Sequence, residues 1–108
     1  MKMKNLVSVF FATLMFTAVQ AQEADSVLVQ KLLTRYACKS CHFMDSKPVG
    51  PGWIDIAARD YSKDQFIKLV GEPKPENWPD YPVMAPMGYV PQKDLEKIYN
   101  WVKTLKKD

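Results

Sequence analysis

One histidine and two cysteines occur in the whole 108-residue chain, and all three fall within a single run, Cys38-Lys39-Ser40-Cys41-His42. Two thiols so close in sequence cannot staple distant segments together, and a zinc site assembled from several Cys and His residues is out of reach. The length allows one domain at most, too short for a doubly wound dinucleotide fold or a barrel enzyme. Domains of this size bury a modest fraction of their surface and commonly depend on a disulfide, a metal or a large cofactor. With the long-range disulfide removed from that list, a cofactor held at Cys38 to His42 would supply stability as well as chemistry.

The first 21 residues read as an export signal rather than as part of the fold. Lys2 and Lys4 give a positive start, Leu6 to Val19 is almost wholly apolar, and Val19-Gln20-Ala21 offers short residues before a cleavage point after Ala21. The apolar run is shorter than the ~18 residues of a membrane-spanning helix, so retention as an anchor is the alternative to cleavage. Residues 22–108 then form the domain. Fifteen Lys and Arg stand against twelve Asp and Glu, a net charge of +3. Two of those lysines leave with the signal, so the domain is nearly neutral. No dense basic run precedes Lys103, Lys106 and Lys107, which argues against nucleic-acid binding.

The domain reads as all-α. Asp25 or Ser26 can cap a first helix running to about Tyr36, with Leu28, Leu32, Leu33 and Tyr36 on its apolar face. A Gly50-Pro51-Gly52 turn leads to a short helical piece around Trp53, Ile56 and Ala57. Ser62 and Gln65 form a capping-box pair opening a helix of about nine residues, with Phe66, Leu69 and Val70 apolar and a stop at Gly71 and Pro73. From Glu72 to Pro91 the chain is proline-rich and aperiodic, an extended loop of a length that is usually functional. A last helix from about Gln92 to Lys106 aligns Leu95, Ile98, Val102 and Leu105 on one stripe. Tyr36, Leu95 and Trp101 are expected to pack the terminal helices together.

Cys-x-x-Cys-His is the attachment pattern of c-type haem. Thiols three apart at a helix end can both reach the vinyl groups of one porphyrin, and His42 then lies under the iron. A thiol–disulfide redox pair is the main alternative, but it belongs in a strand–helix–strand setting that this chain lacks. The sixth iron position needs a ligand and no second histidine exists. Met44 is two residues from His42 and on the same side of the haem. Met84 and Met87 lie in the proline-rich loop, where Pro79, Pro82, Pro86 and Pro91 stiffen the chain and lower the entropy of holding a weak sulfur ligand.

The order of these features resembles the small monohaem class I bacterial cytochromes c: an export signal, a helix ending in C-x-x-C-H, a Gly-Pro turn, a methionine in a proline-rich loop and an amphipathic final helix with an aromatic. The resemblance covers essentially the whole of residues 22–108. It implies three to four helices wrapped around one haem c, attached through Cys38 and Cys41, with His42 and Met84 as axial ligands. Pro82-Val83-Met84-Ala85-Pro86 followed by Val90-Pro91 matches the family's Met-Pro-Pro pattern, with Ala85 in place of its first proline. The resemblance also implies that the Pro51 carbonyl accepts the ring N–H of His42 and that Trp78 donates its indole N–H to a haem propionate.

With both iron positions filled by protein, the expected function is one-electron transfer in the periplasm between redox protein partners, not catalysis on a substrate. Docking would use the exposed haem edge near Lys39 and Lys47. The chain would be a monomer or part of a redox complex, and would not span the membrane once the signal is removed. Two further roles fit the same features. One is the cytochrome subunit of a periplasmic dehydrogenase or oxidase; the other is a small-ligand sensor in which Met84 leaves the iron.

Overall fold

A computed structural model describes residues 25–45 and 49–107. The expected export signal, residues 1–21, and Lys47 lie outside them. Among the described residues there are helices and turns but no strand, and no helix is long and apolar enough to cross a membrane.

The first helix, α1, covers residues 25–35. Asp25 is already helical, so neither it nor Ser26 is the cap that the sequence suggested. Its inner face is Val29, Leu32 and Leu33, while Leu28 is 38% exposed. The i, i+3, i+4, i+7 spacing of 29, 32, 33 and 36 follows the 3.6-residue turn, whereas a strict four-residue repeat through 28 drifts off the face. Helix α1 ends where Ala37 takes a left-handed φ of 59° and turns the chain into a short 3-10 helix, Cys38–Ser40. A left-handed alanine costs ~1–2 kcal/mol, partly offset in glycine by the entropy of its freer unfolded chain. Ala37→Gly is therefore expected to stabilise the protein by about 0.5–1 kcal/mol, seen as a higher urea midpoint at unchanged slope.

Helix α2, Trp53–Ala58, buries Trp53 and Ala57. Its start is docked on the segment just after His42, since the carbonyls of Phe43 and Met44 accept the N–H groups of Trp53 and Ile54 at 2.6 and 3.1 Å. Helix α3, Lys63–Gly71, opens with the capping box: Ser62 accepts from the Gln65 N–H and the Gln65 side chain accepts from the Ser62 N–H. The proline-rich stretch that follows is loop apart from one 3-10 turn, Pro75–Asn77. Helix α4, Gln92–Thr104, buries Leu95, Ile98, Tyr99 and Val102 and packs on both α2 and α3. Trp101 meets Trp53 edge-on at 5.6 Å between ring centroids, and Phe66 meets Tyr99 at 5.6 Å.

A buried carboxylate joins the terminal helices. Asp94, in the first turn of α4, is 7% exposed and accepts a 2.7 Å hydrogen bond from the Tyr36 hydroxyl at the end of α1. The helix N-terminus favours its negative charge. Removing the donor leaves a buried carboxylate short of a partner, so Tyr36→Phe is expected to lower the midpoint of chemical denaturation. The same bond holds the Tyr36 hydroxyl above its ordinary pKa of 10.0. A raised folded-state pKa means that the bond's stabilisation is full below pH 10.0 and is lost as pH rises through the higher folded value. Tyr36→Phe should remove that part of the alkaline destabilisation.

Candidate functional site

The turn that follows α1 presents its chemistry through two backbone bonds to one carbonyl. The Cys38 oxygen accepts from the N–H groups of Cys41 and His42, at 3.3 and 3.0 Å. This tight wrap sets Cys38, Cys41 and His42 on the wall of one cavity of about 400 Å³, within the ~300–1,000 Å³ of pockets that bury small organic groups. The cysteines are not bridged. Burial pushes the Cys38 thiol above its ordinary pKa, the reverse of the lowered pKa that makes a redox-active thiol.

His42 is held in one orientation. Its Nδ1 lies 2.7 Å from the Pro51 carbonyl oxygen, and its ring sits 5.0 Å from that of Trp53. A carbonyl only accepts, so the proton is on Nδ1 and the lone pair on Nε2 is available as a ligand. Burial lowers the pKa of His42, outweighing the opposing effect of the Pro51 bond, and keeps the ring neutral. Gly50 makes this packing possible: a Cβ there would stand 2.8 Å from the His42 Cε1.

Met84 and Met87 from the proline-rich loop both line the same cavity, as do Pro51 and Trp78. The N–H of Met87 is tied to the Val70 carbonyl at the end of α3, at 2.9 Å. Met44 is 43% exposed and is absent from the cavity wall. Leu95, expected to pack between the terminal helices, lines the cavity wall instead, because it lies one turn before Ile98 on the face of α4 turned inward. Lys39 is exposed beside the cysteines.

The walls fit a large flat apolar group with a few polar substituents. Ile56, Phe66, Leu69, Val70, Val90 and Ile98 are apolar. Polar side chains enter from a limited stretch: Lys74, Asn77, Trp78 and Tyr81 from the loop, and Tyr61 from the corner between α2 and α3. Arg59 ties that corner to the loop, donating from Nη2 to the Asn77 carbonyl at 2.9 Å and stacking 4.0 Å over the Trp78 ring. Tyr61, Lys74, Asn77 and Tyr81 carry no local motif, and only the packing of the corner against the loop reveals them. Among the described residues no three or more His, Cys, Asp or Glu gather to hold a bare metal ion. One neutral histidine beside two cysteines suits iron already carried in a porphyrin.

No family model matches the chain. It is similar to cytochrome c-552 of Nitrosomonas europaea, at 35% identity over 101 residues, 90% of this chain and 92% of that one. It is also similar to cytochrome c-551 of Allochromatium vinosum, at 30% identity over 90 residues, 80% of this chain and 90% of that one. Cytochrome c-551 of Pseudomonas denitrificans is 27% identical over 81 residues, 71% of this chain and 96% of that one. The chain therefore belongs to the small class I cytochromes c, electron-transport proteins, and carries a haem c joined covalently through Cys38 and Cys41.

Proposed function

We propose that this protein is an exported, periplasmic one-electron carrier whose haem iron is held by His42 and Met84, with residues 1–21 as its cleaved signal peptide and residues 22–108 as its domain. The observation that carries the reading is His42, fixed by a 2.7 Å bond to the Pro51 carbonyl in a cavity that Met84 also lines. The haem supplies an iron that cycles between ferric and ferrous states by one electron. The residues do the rest. Pro51 sets the tautomer and aim of His42, and so its strength as a ligand. Met84 contributes a soft thioether that favours the ferrous state and raises the potential. It sits mid-loop, with Pro82, Val83 and Ala85 beside it on the cavity wall, whereas Met87 stands where the loop is anchored to α3. The apolar walls exclude water from the iron, and Trp78 donates to a propionate.

With both axial positions taken by side chains, no site is open for a substrate, which favours a carrier over an enzyme. Redox protein partners would dock where the exposed Val49 and Val83 border the cavity, near the exposed Lys39 that follows Cys38. The test is carbon monoxide added to the ferrous protein under native conditions. A carrier with Met84 bound keeps its absorption spectrum; a spectrum that converts to the carbonyl form would show an exchangeable position and a ligand-sensing role.

A further inference from the structure

Three rings stand in file from His42 to the last helix. The centroids of His42 and Trp53 are 5.0 Å apart with planes tilted by 44°, and those of Trp53 and Trp101 are 5.6 Å apart with planes at 75°, an edge-to-face contact. Trp53 is buried and lines the cavity; Trp101, on α4, is half-buried and is not among the residues of the cavity wall. The backbone of Trp53 is anchored beside the histidine, its N–H donating to the Phe43 carbonyl at 2.6 Å. That anchor leaves the indole ring to be fixed by what packs against it, and Trp101 supplies such a contact with the geometry that aromatic pairs favour. The Pro51 bond selects the tautomer of His42, but hydrogen bonds tolerate a spread of angles, so that bond alone does not set the plane of the ring. A neighbouring ring that is itself held in place does.

We infer that Trp101 is a positioning residue for His42: acting through Trp53, it fixes the rotation of the His42 ring about the iron–nitrogen axis. The inference rests on His42 being a ligand of the haem iron. In low-spin ferric haem the plane of an axial imidazole helps to set which iron orbital holds the unpaired electron. A held ring therefore keeps one electronic arrangement, and a loosened ring averages over several.

The test is proton NMR of the ferric holoprotein, in which the spread of the haem methyl resonances follows the planes of the axial ligands. Trp101→Leu and Trp53→Leu should both change that spread. Because Trp101 acts through Trp53, Trp101→Leu should add nothing further in a Trp53→Leu background, where an independent effect would add. Trp101→Phe keeps an aromatic edge against Trp53 and should retain the wild-type spread. Val29→Ala opens a cavity in the core under α1, away from the haem cavity, and should lower stability while leaving the spread unchanged. A wild-type spread in Trp101→Leu overturns the inference, as does an equal change in Val29→Ala. Should Trp53→Leu fail to fold, the comparison of Trp101→Leu with Trp101→Phe decides. Wild-type protein whose ferric iron lacks a histidine ligand would instead defeat the functional reading before Trp101 is in question.

Discussion

Replacing Met84 with alanine is expected to abolish the near-infrared charge-transfer band of sulfur-ligated ferric haem, and replacing Met87 to leave that band in place. Both side chains line the cavity, but they differ in what holds their backbone. Met87 is tied to α3 through the Val70 carbonyl, and Gly88 packs against Gly71 beside it. Met84 stands in the free span between Pro82 and Pro86, where prolines reduce the entropy lost on fixing a sulfur ligand. Loss of the thioether would remove the ligand proposed to favour ferrous iron. The midpoint potential of Met84→Ala should therefore fall by on the order of 0.1–0.3 V, a sizeable share of the ~0.8 V over which axial ligands set haem potentials. Absorption spectroscopy and redox titration of the two variants decide the assignment; loss of the band only with Met87→Ala would transfer the role.

The second large effect is expected from one added methyl group. In Gly50→Ala the new Cβ would meet the His42 ring at 2.8 Å from Cε1 and 3.1 Å from Nδ1. The ring is fixed by the 2.7 Å bond to the Pro51 carbonyl and by Trp53, so it cannot simply rotate away. Either the ring or the turn must shift, and each movement strains the bond that aims His42. Overpacking of this kind costs about 1–3 kcal/mol, and here it would act directly on the proposed axial ligand. Gly50→Ala should show a lowered denaturation midpoint together with an altered ferric spectrum. Gly88→Ala is the matched control, because its Cβ meets nothing within 4 Å. It should leave the spectrum unchanged and the stability within about 0.5 kcal/mol.

What could be read from the sequence is what depends on neighbours along the chain. The capping box at Ser62 and Gln65 is a contact over three residues, and the structure contains it where expected. The wrap from Cys38 to His42 is likewise local, so its motif announces it. The inner stripe of α4 follows from its own periodicity. Contacts between segments distant in sequence were less legible. Leu28 and Val29 are both plausible faces of α1 until the rest of the core selects Val29. Leu95 lies on the cavity wall, a place that the periodicity of α4 alone does not tell apart from a contact between the terminal helices. Tyr61 and Arg59 look like ordinary loop residues, and their bearing on the cavity arises only because the α2–α3 corner lies against Asn77 and Trp78. The Tyr36–Asp94 bond spans 58 positions and has no sequence signal beyond two residues of suitable chemistry.

The most direct test is the mass of the whole protein after expression in a bacterium equipped for haem attachment, followed by acid–acetone extraction. Thioethers at Cys38 and Cys41 survive that treatment, so the expected species is residues 22–108 plus one haem. The mass of the bare chain, with both cysteines free or bridged to each other and the colour gone into the acetone, would contradict the account.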